Sequence, residues 1–228
     1  MAERRATRGR AKTYGGPVAR TAEPAHPLER LIFFSDAVFA IAITLLIVEI
    51  SIPHLQYGAD DSAHLLALAE RIPHFMGFFL SFAVIGAFWA GHHRAFSMAR
   101  HYGPGLIFPN LAMLCAVAFM PFATAYMSAN FAQAVPSAFY NAVMFVTGLL
   151  NLRLVRKVTG APFVAEDADA VEIAVTRARG WGVPLGAAVA FAMCFVVPQI
   201  AQFMLISIPL WIALAVRAAK RRVARAGA

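Results

Sequence analysis

The chain has 228 residues, of which 60% are hydrophobic and only 14% charged, with a mean hydropathy of +0.65. A soluble domain is about half apolar and about a quarter charged, so this composition excludes an ordinary globular fold and points to a polytopic membrane protein. The net charge of +8 would suggest a nucleic-acid partner in a soluble protein, but here the cations flank hydrophobic segments and set their orientation, and no nucleic acid is expected to bind.

Residues 1–28 carry Arg4, Arg5, Arg8, Arg10, Lys12 and Arg20 with Gly15, Gly16 and several prolines, and show no apolar periodicity. They are expected to form a mobile basic tail at the anionic cytoplasmic leaflet. Residues 29–220 form one all-α unit of six transmembrane helices, at about 31–52, 72–93, 106–127, 136–155, 180–197 and 201–218, each near the length of about 20 apolar residues that spans a bilayer. Pro53 ends the first helix, and residues 54–71 read as a polar loop with Asp60, Asp61 and Glu70. Arg94, Arg100 and the Gly103-Pro104-Gly105 breaker separate the second span from the third. Pro121 interrupts the third span, and an uncharged loop around 128–135 leads to the fourth. The charged stretch Arg153–Arg179 contains a short amphipathic helix near 168–178, Pro198-Gln199 turns the chain between the last two spans, and residues 221–228 form a basic cytoplasmic C-terminus.

Alternate loops differ sharply in charge. The N-terminal tail, the second-to-third loop, the fourth-to-fifth loop and the C-terminus hold 19 of the 20 Lys and Arg residues, and the opposite loops hold only Arg71. Both termini are therefore expected in the cytoplasm, which an even number of spans requires. Cys115 and Cys194 lie in apolar runs and are expected to be buried, reduced thiols rather than metal ligands or a disulfide. The first apolar run is too long for the core of a cleavable signal peptide.

The first helix carries the chemistry of interest. At 100° per residue, Phe34, Ile41, Thr44, Leu45 and Val48 fall on one stripe, with Asp36 about 140° from Ile41 and Ser35 about 120° away on the other side. The polar pair and the stripe cannot face the same neighbour. If the stripe lines a pore, Ser35 and Asp36 pack against other helices; otherwise the stripe is ordinary packing. An ionisable group such as Asp36 inside a span is costly and must meet protein or water. The second helix ends in Trp89, His92, His93 and Arg94, which bring an indole N–H and imidazoles to the same membrane end. The adjacent histidines point about 100° apart and do not share one metal readily. Asn110 and Thr124 suit interhelical hydrogen bonds, and Glu49 stands at the outer end of the first helix, either drawing cations to a vestibule or reaching the interface. No GxSxG, HExxH, Walker or Rossmann signature occurs, so no enzyme is expected, and the absence of TVGYG excludes a carbonyl-lined potassium filter.

Arg30-x-x-x-Phe34-Ser35-Asp36, followed by AVFAIAITLLIVEI, resembles the transmembrane protein 175 family of potassium channels. Phe88–His93 (FWAGHH) and Asn110…Pro121-Phe122-x-Thr124 are similar to the family's second and third helices. A chain with one six-helix unit looks like the prokaryotic form. The resemblance implies a homotetramer in the cell membrane, with four first helices around a central pore and no re-entrant loop. It puts the constriction at Ile41 and further layers at Thr44 or Leu45 and at Val48. Potassium is then the permeant ion, with no fixed metal site and no cofactor. Arg30, Phe34, Ser35 and Asp36, with Trp89 and His92 or His93, are expected to hold the first helix in register. The competing expectation is a proton-coupled transporter or proton leak that uses Asp36 and the histidines as a relay.

Overall fold

A computed structural model of the chain describes residues 27–226; the expected tail at 1–28 falls almost wholly outside them, as do residues 227 and 228. The described residues form a helical bundle. Its elements are α1 (Pro27–Val48), α2 (Asp61–Ala69), α3 (Ile72–Ser97), α4 (Ile107–Ala129), α5 (Ala134–Val158), α6 (Ala170–Arg179), α7 (Gly182–Met193), α8 (Pro198–Ala201) and α9 (Ile208–Ala226), with 3-10 turns before α4 and α9.

Among the described residues, five segments are long and apolar enough to cross a membrane: Pro27–Val48, Ile72–Ser97, Pro104–Ala129, Ala134–Val158 and Pro198–Arg225. The segment expected as a fifth of six spans, 180–197, contains only the 12-residue α7. At about 1.5 Å per residue such a helix is shorter than the roughly 30 Å hydrocarbon core. Hydrogen-bonded turns continue it to Val197, where Val197 N–H donates to Met193 O, before Pro198 reverses the chain.

Three expectations need correction. The loop at 54–71 contains α2, started by Asp60, whose side chain accepts from Ala63 N at 3.0 Å. That bond and the Ser62 hydroxyl hold the Asp60 carboxyl below its ordinary pKa. Pro121 does not break the third span; α4 is continuous through it, as membrane helices allow when neighbouring helices surround the site. Cys115 is exposed on α4, and only Cys194 is buried. Residues 221–226 of the basic C-terminal stretch continue α9.

The bundle is layered by contact. α1 lies on α3 and α4, α4 on α5, α5 on α7, and α6 against α9. Its interior contains fully buried Phe39, Ile85, Phe88, Met113, Met120 and Met144. Water is absent from a bilayer, so apolar burial alone does not drive these helices together, and small residues that permit close approach matter more. Gly148 of α5 faces Pro184 of α7 so closely that a Cβ there would lie 2.8 Å from the proline ring. Gly186 of α7 is pressed against Ile208, and Gly182, four residues earlier, against Ile212. The membrane end that carries α1's start is closed by loops, where Ala165 N–H donates to Met98 O at 2.9 Å and Arg177 holds Thr159 through Nε at 2.8 Å and Nη2 at 2.7 Å.

Replacing Gly148 by Leu is expected to separate α5 from α7 and cost about 1–3 kcal/mol. Gly86→Ala, at a helical position where an added Cβ meets nothing within 4 Å, is expected to raise stability by up to about 1 kcal/mol. Thermal unfolding of the two variants in detergent should move in opposite directions.

Candidate pore-lining helix and its polar anchor

α1 has two faces of different character. Leu28, Ser35, Phe39, Ala42 and Leu46 are buried against α3 and α4. On the opposite side Phe34 is 50% exposed, Ile41 57%, Leu45 42% and Val48 72%. Thr44 is exposed on the same stripe, and so is Arg30 at the helix start. Phe33 and Ile47 widen this bare face on one flank, and Glu49 is exposed just beyond the helix end.

Near the start of α1 a chain of hydrogen bonds ties three helices. Ser35 is fully buried. Its hydroxyl donates to Leu31 O at 2.8 Å and accepts from Asn110 Nδ2 of α4 at 2.9 Å. Asn110 Oδ1 meets His92 Nε2 of α3 at 3.0 Å; an amide oxygen accepts only, so Nε2 carries a proton in this arrangement. The His92 ring stacks on Phe96 with centroids 4.3 Å apart and meets the edge of Phe39 at 5.6 Å. One step outward, Trp89 Nε1 donates to Asp36 Oδ1 at 2.9 Å. His93 lies against the Trp89 ring, with centroids 5.8 Å apart.

The sequence-predicted residues therefore divide. Ser35, Asp36, Trp89 and His92 converge at one end of the bundle, with Trp89 rather than a histidine hydrogen-bonded to the carboxylate. Arg30 and Phe34 point away on the bare face. Asn110 joins two of the convergent groups, which its position in an apolar run had suggested. The second polar layer escaped sequence reasoning except for Thr124. In that layer Thr124 donates to Met120 O at 2.8 Å, which leaves Ser81 to donate to Thr124 at 2.7 Å and Tyr140 to donate to Ser81 at 2.9 Å. A serine and a tyrosine interrupting otherwise apolar helices were its only trace. No group of three or more His, Cys, Asp or Glu side chains that could hold a metal occurs among the described residues.

These bonds predict an order of effects. Asn110→Leu leaves buried donors and acceptors on Ser35 and His92 unpaired and is expected to cost about 1–3 kcal/mol, whereas Trp89→Phe removes one more exposed bond and costs about 1 kcal/mol. Melting temperatures in detergent should fall in that order.

Residues 30–121 match the family described as endosomal/lysosomal potassium channel TMEM175. A potassium channel of Streptomyces collinus is 40% identical over 120 residues, which are 51% of this chain and 57% of that protein. A potassium channel of Chamaesiphon minutus is 33% identical over 173 residues, 73% of this chain and 84% of that one. The crystal structure of a lysosomal potassium-selective channel TMEM175 homologue from Chamaesiphon minutus superposes with a TM-score of 0.69 at 28% identity, covering 83% of this chain and 97% of its own. The matched stretch begins with α1 and its anchor and runs into α4, and the Chamaesiphon likeness carries on through most of the bundle: the chain belongs to the TMEM175 family.

Proposed function

We propose that the chain is one subunit of a homotetrameric, potassium-selective channel in a prokaryotic cell membrane, with four copies of α1 around the conduction axis. Each subunit crosses the membrane six times, α7 with its following turns being the shortest crossing, and both termini lie in the cytoplasm with the cationic loops. The observation that carries this reading is the bare stripe of α1. Phe34, Ile41, Thr44, Leu45 and Val48 are exposed in a helix whose other face is packed and hydrogen-bonded. The names and likeness of the relatives supply the permeant ion.

The physical argument for conduction follows from the stripe. Backbone carbonyls of a continuous helix are already bonded and cannot replace an ion's water. The Ile41 ring offers no ligands, and closes the path by sterics and dewetting. When the path opens, the constriction favours the cation that is cheaper to dehydrate partly, and potassium holds water less tightly than sodium. Thr44 compensates. Its hydroxyl lies 3.0 Å from Ala40 O and 2.9 Å from Ile41 O, so its one proton is turned to the helix and its lone pairs are free for a cation. Leu45 and Val48 continue the wall outward. Ser35, Asp36, Trp89, His92 and Asn110 serve to fix how α1 is turned, and no ion is held at a permanent site.

Unitary currents from purified protein in a planar bilayer are the direct test. Saturable, proton-driven flux without unitary events would replace the channel reading with a transporter that uses Asp36 and the histidines. Thr44→Ala is expected to lower potassium preference about fivefold in bi-ionic reversal potentials, equivalent to about 1 kcal/mol of lost coordination. Ile41→Ala is expected to widen the constriction and raise open probability at zero voltage. Asp36→Ala is expected to reduce assembly or opening while leaving the selectivity sequence unchanged; a change in ion preference alone would contradict the assignment of Asp36 to the anchor.

A further inference from the structure

Away from α1, the C-terminal ends of α3 and α6 converge on a cavity of about 480 Å³ that is also walled by α5, α7 and α9. Its walls are apolar over most of their area, including Phe88, Val183 and Ile212, and its polar lining is Arg94, Arg179, Asn151 and Thr176. Asn151 and Thr176 are each only 5% exposed. Asn151 Oδ1 has no hydrogen-bond partner, and neither does the buried Arg94 Nε. No Asp or Glu lines the cavity, although both Arg94 and Arg179 do. The neighbouring arginine Arg177 is engaged with Thr159, and Arg156 lies over the Trp181 ring at 5.4 Å.

Two arginines lining one cavity without a carboxylate call for an anion that lies outside the chain. Arginine forks match phosphate oxygens, and the weak hydration of guanidinium suits a site beside an apolar wall. The cavity stands at the membrane end that collects the cations, where basic pockets between helices meet anionic headgroups. We propose that Arg94 and Arg179 hold the phosphate of an anionic phospholipid, whose glycerol and upper acyl segments lie along Phe88, Val183 and Ile212. Asn151, whose amide can present either its oxygen or its Nδ2, and the Thr176 hydroxyl complete the headgroup site. The bound lipid bridges α3, α6 and α9.

The test uses the full chain purified in detergent, equilibrated with dioleoylphosphatidylglycerol and read by native mass spectrometry, with dioleoylphosphatidylcholine and inorganic phosphate as parallel arms. The expected result is retained phosphatidylglycerol that phosphatidylcholine does not match and millimolar phosphate does not displace. Arg94→Gln combined with Arg179→Gln should weaken retention about tenfold or more. Gly91→Leu provides a charge-neutral check: Gly91 lines the cavity, and an added Cβ meets nothing within 4 Å, so the variant keeps its fold while filling the site, and should lose the lipid as well. Equal retention of the two lipids, displacement by free phosphate, or undiminished retention in the folded Gly91→Leu variant would each overturn the assignment. None of these readouts depends on ion conduction.

Discussion

The buried contact between Ser35 and Asn110 decides what α1 shows to the outside. In a bilayer a lipid-facing residue and a protein-facing residue are equally apolar, so hydrophobicity does not determine how a helix is rotated. α1 illustrates the problem: Ile41, Leu45 and Val48 on one side and Phe39, Ala42 and Leu46 on the other are interchangeable by composition. A polar group that must be satisfied inside the protein removes the ambiguity. Ser35 has its partner on α4, 2.9 Å away, and turning α1 by one residue step, about 100°, would carry that hydroxyl out of reach and bury part of the bare stripe instead.

The same logic recurs one layer further along the bundle. Tyr140, Ser81 and Thr124 bond in sequence across α5, α3 and α4, and each hydroxyl has one proton, so the direction of donation is fixed by Thr124 giving its own to Met120 O. Away from the two polar layers the packing is van der Waals contact and close glycine approach. Gly77 of α3 lies against the Ser128 hydroxyl of α4, and Gly148 against Pro184. Polar layers set rotation and small residues set distance. Together they make α3, α4 and α5 a fixed frame on which α1 is mounted by one face.

Much of this frame could be read in advance, for identifiable reasons. Long apolar runs bounded by Pro53, Gly103-Pro104 and Pro198 give helices with few alternatives, and the wheel alone separated Ser35 and Asp36 from the stripe of Ile41 and Val48. What stayed hidden depended on tertiary neighbours. Nothing local distinguishes Trp89 from His92 or His93 as the group meeting Asp36, because all three lie within one turn of α3. The helix α2 was missed because its leucines are exposed, with Leu65 at 68% and Leu66 at 64%, so it carries no buried stripe; its cap at Asp60 was the available signal. The shortness of α7 was masked by an apolar run that extends through Cys194–Val197, where the chain has already left the helix.

The two bonds that attach α1 at its anchored end differ in a way that bears on motion. Ser35–Asn110–His92 is enclosed by Phe39 and Phe96, and breaking it strands polar groups in an apolar interior, at about 1–3 kcal/mol for each. Asp36–Trp89 lies at the edge, where Trp89 is 42% exposed, and there a water molecule or a neighbouring subunit can substitute for either partner at small cost. A rearrangement that widens the proposed pore therefore has a preferred route. It exchanges the edge bond while keeping the enclosed one, so that α1 tilts about Ser35 as a fixed point. Ile41 and Val48 lie six and thirteen residues beyond that point, roughly 9 and 20 Å along the helix, and a tilt displaces Val48 about twice as far as Ile41. Of the proposed pore layers at Ile41, Thr44, Leu45 and Val48, the one at Ile41 is then the layer that moves least for a given tilt, which is where a narrow, reproducible gate is best placed.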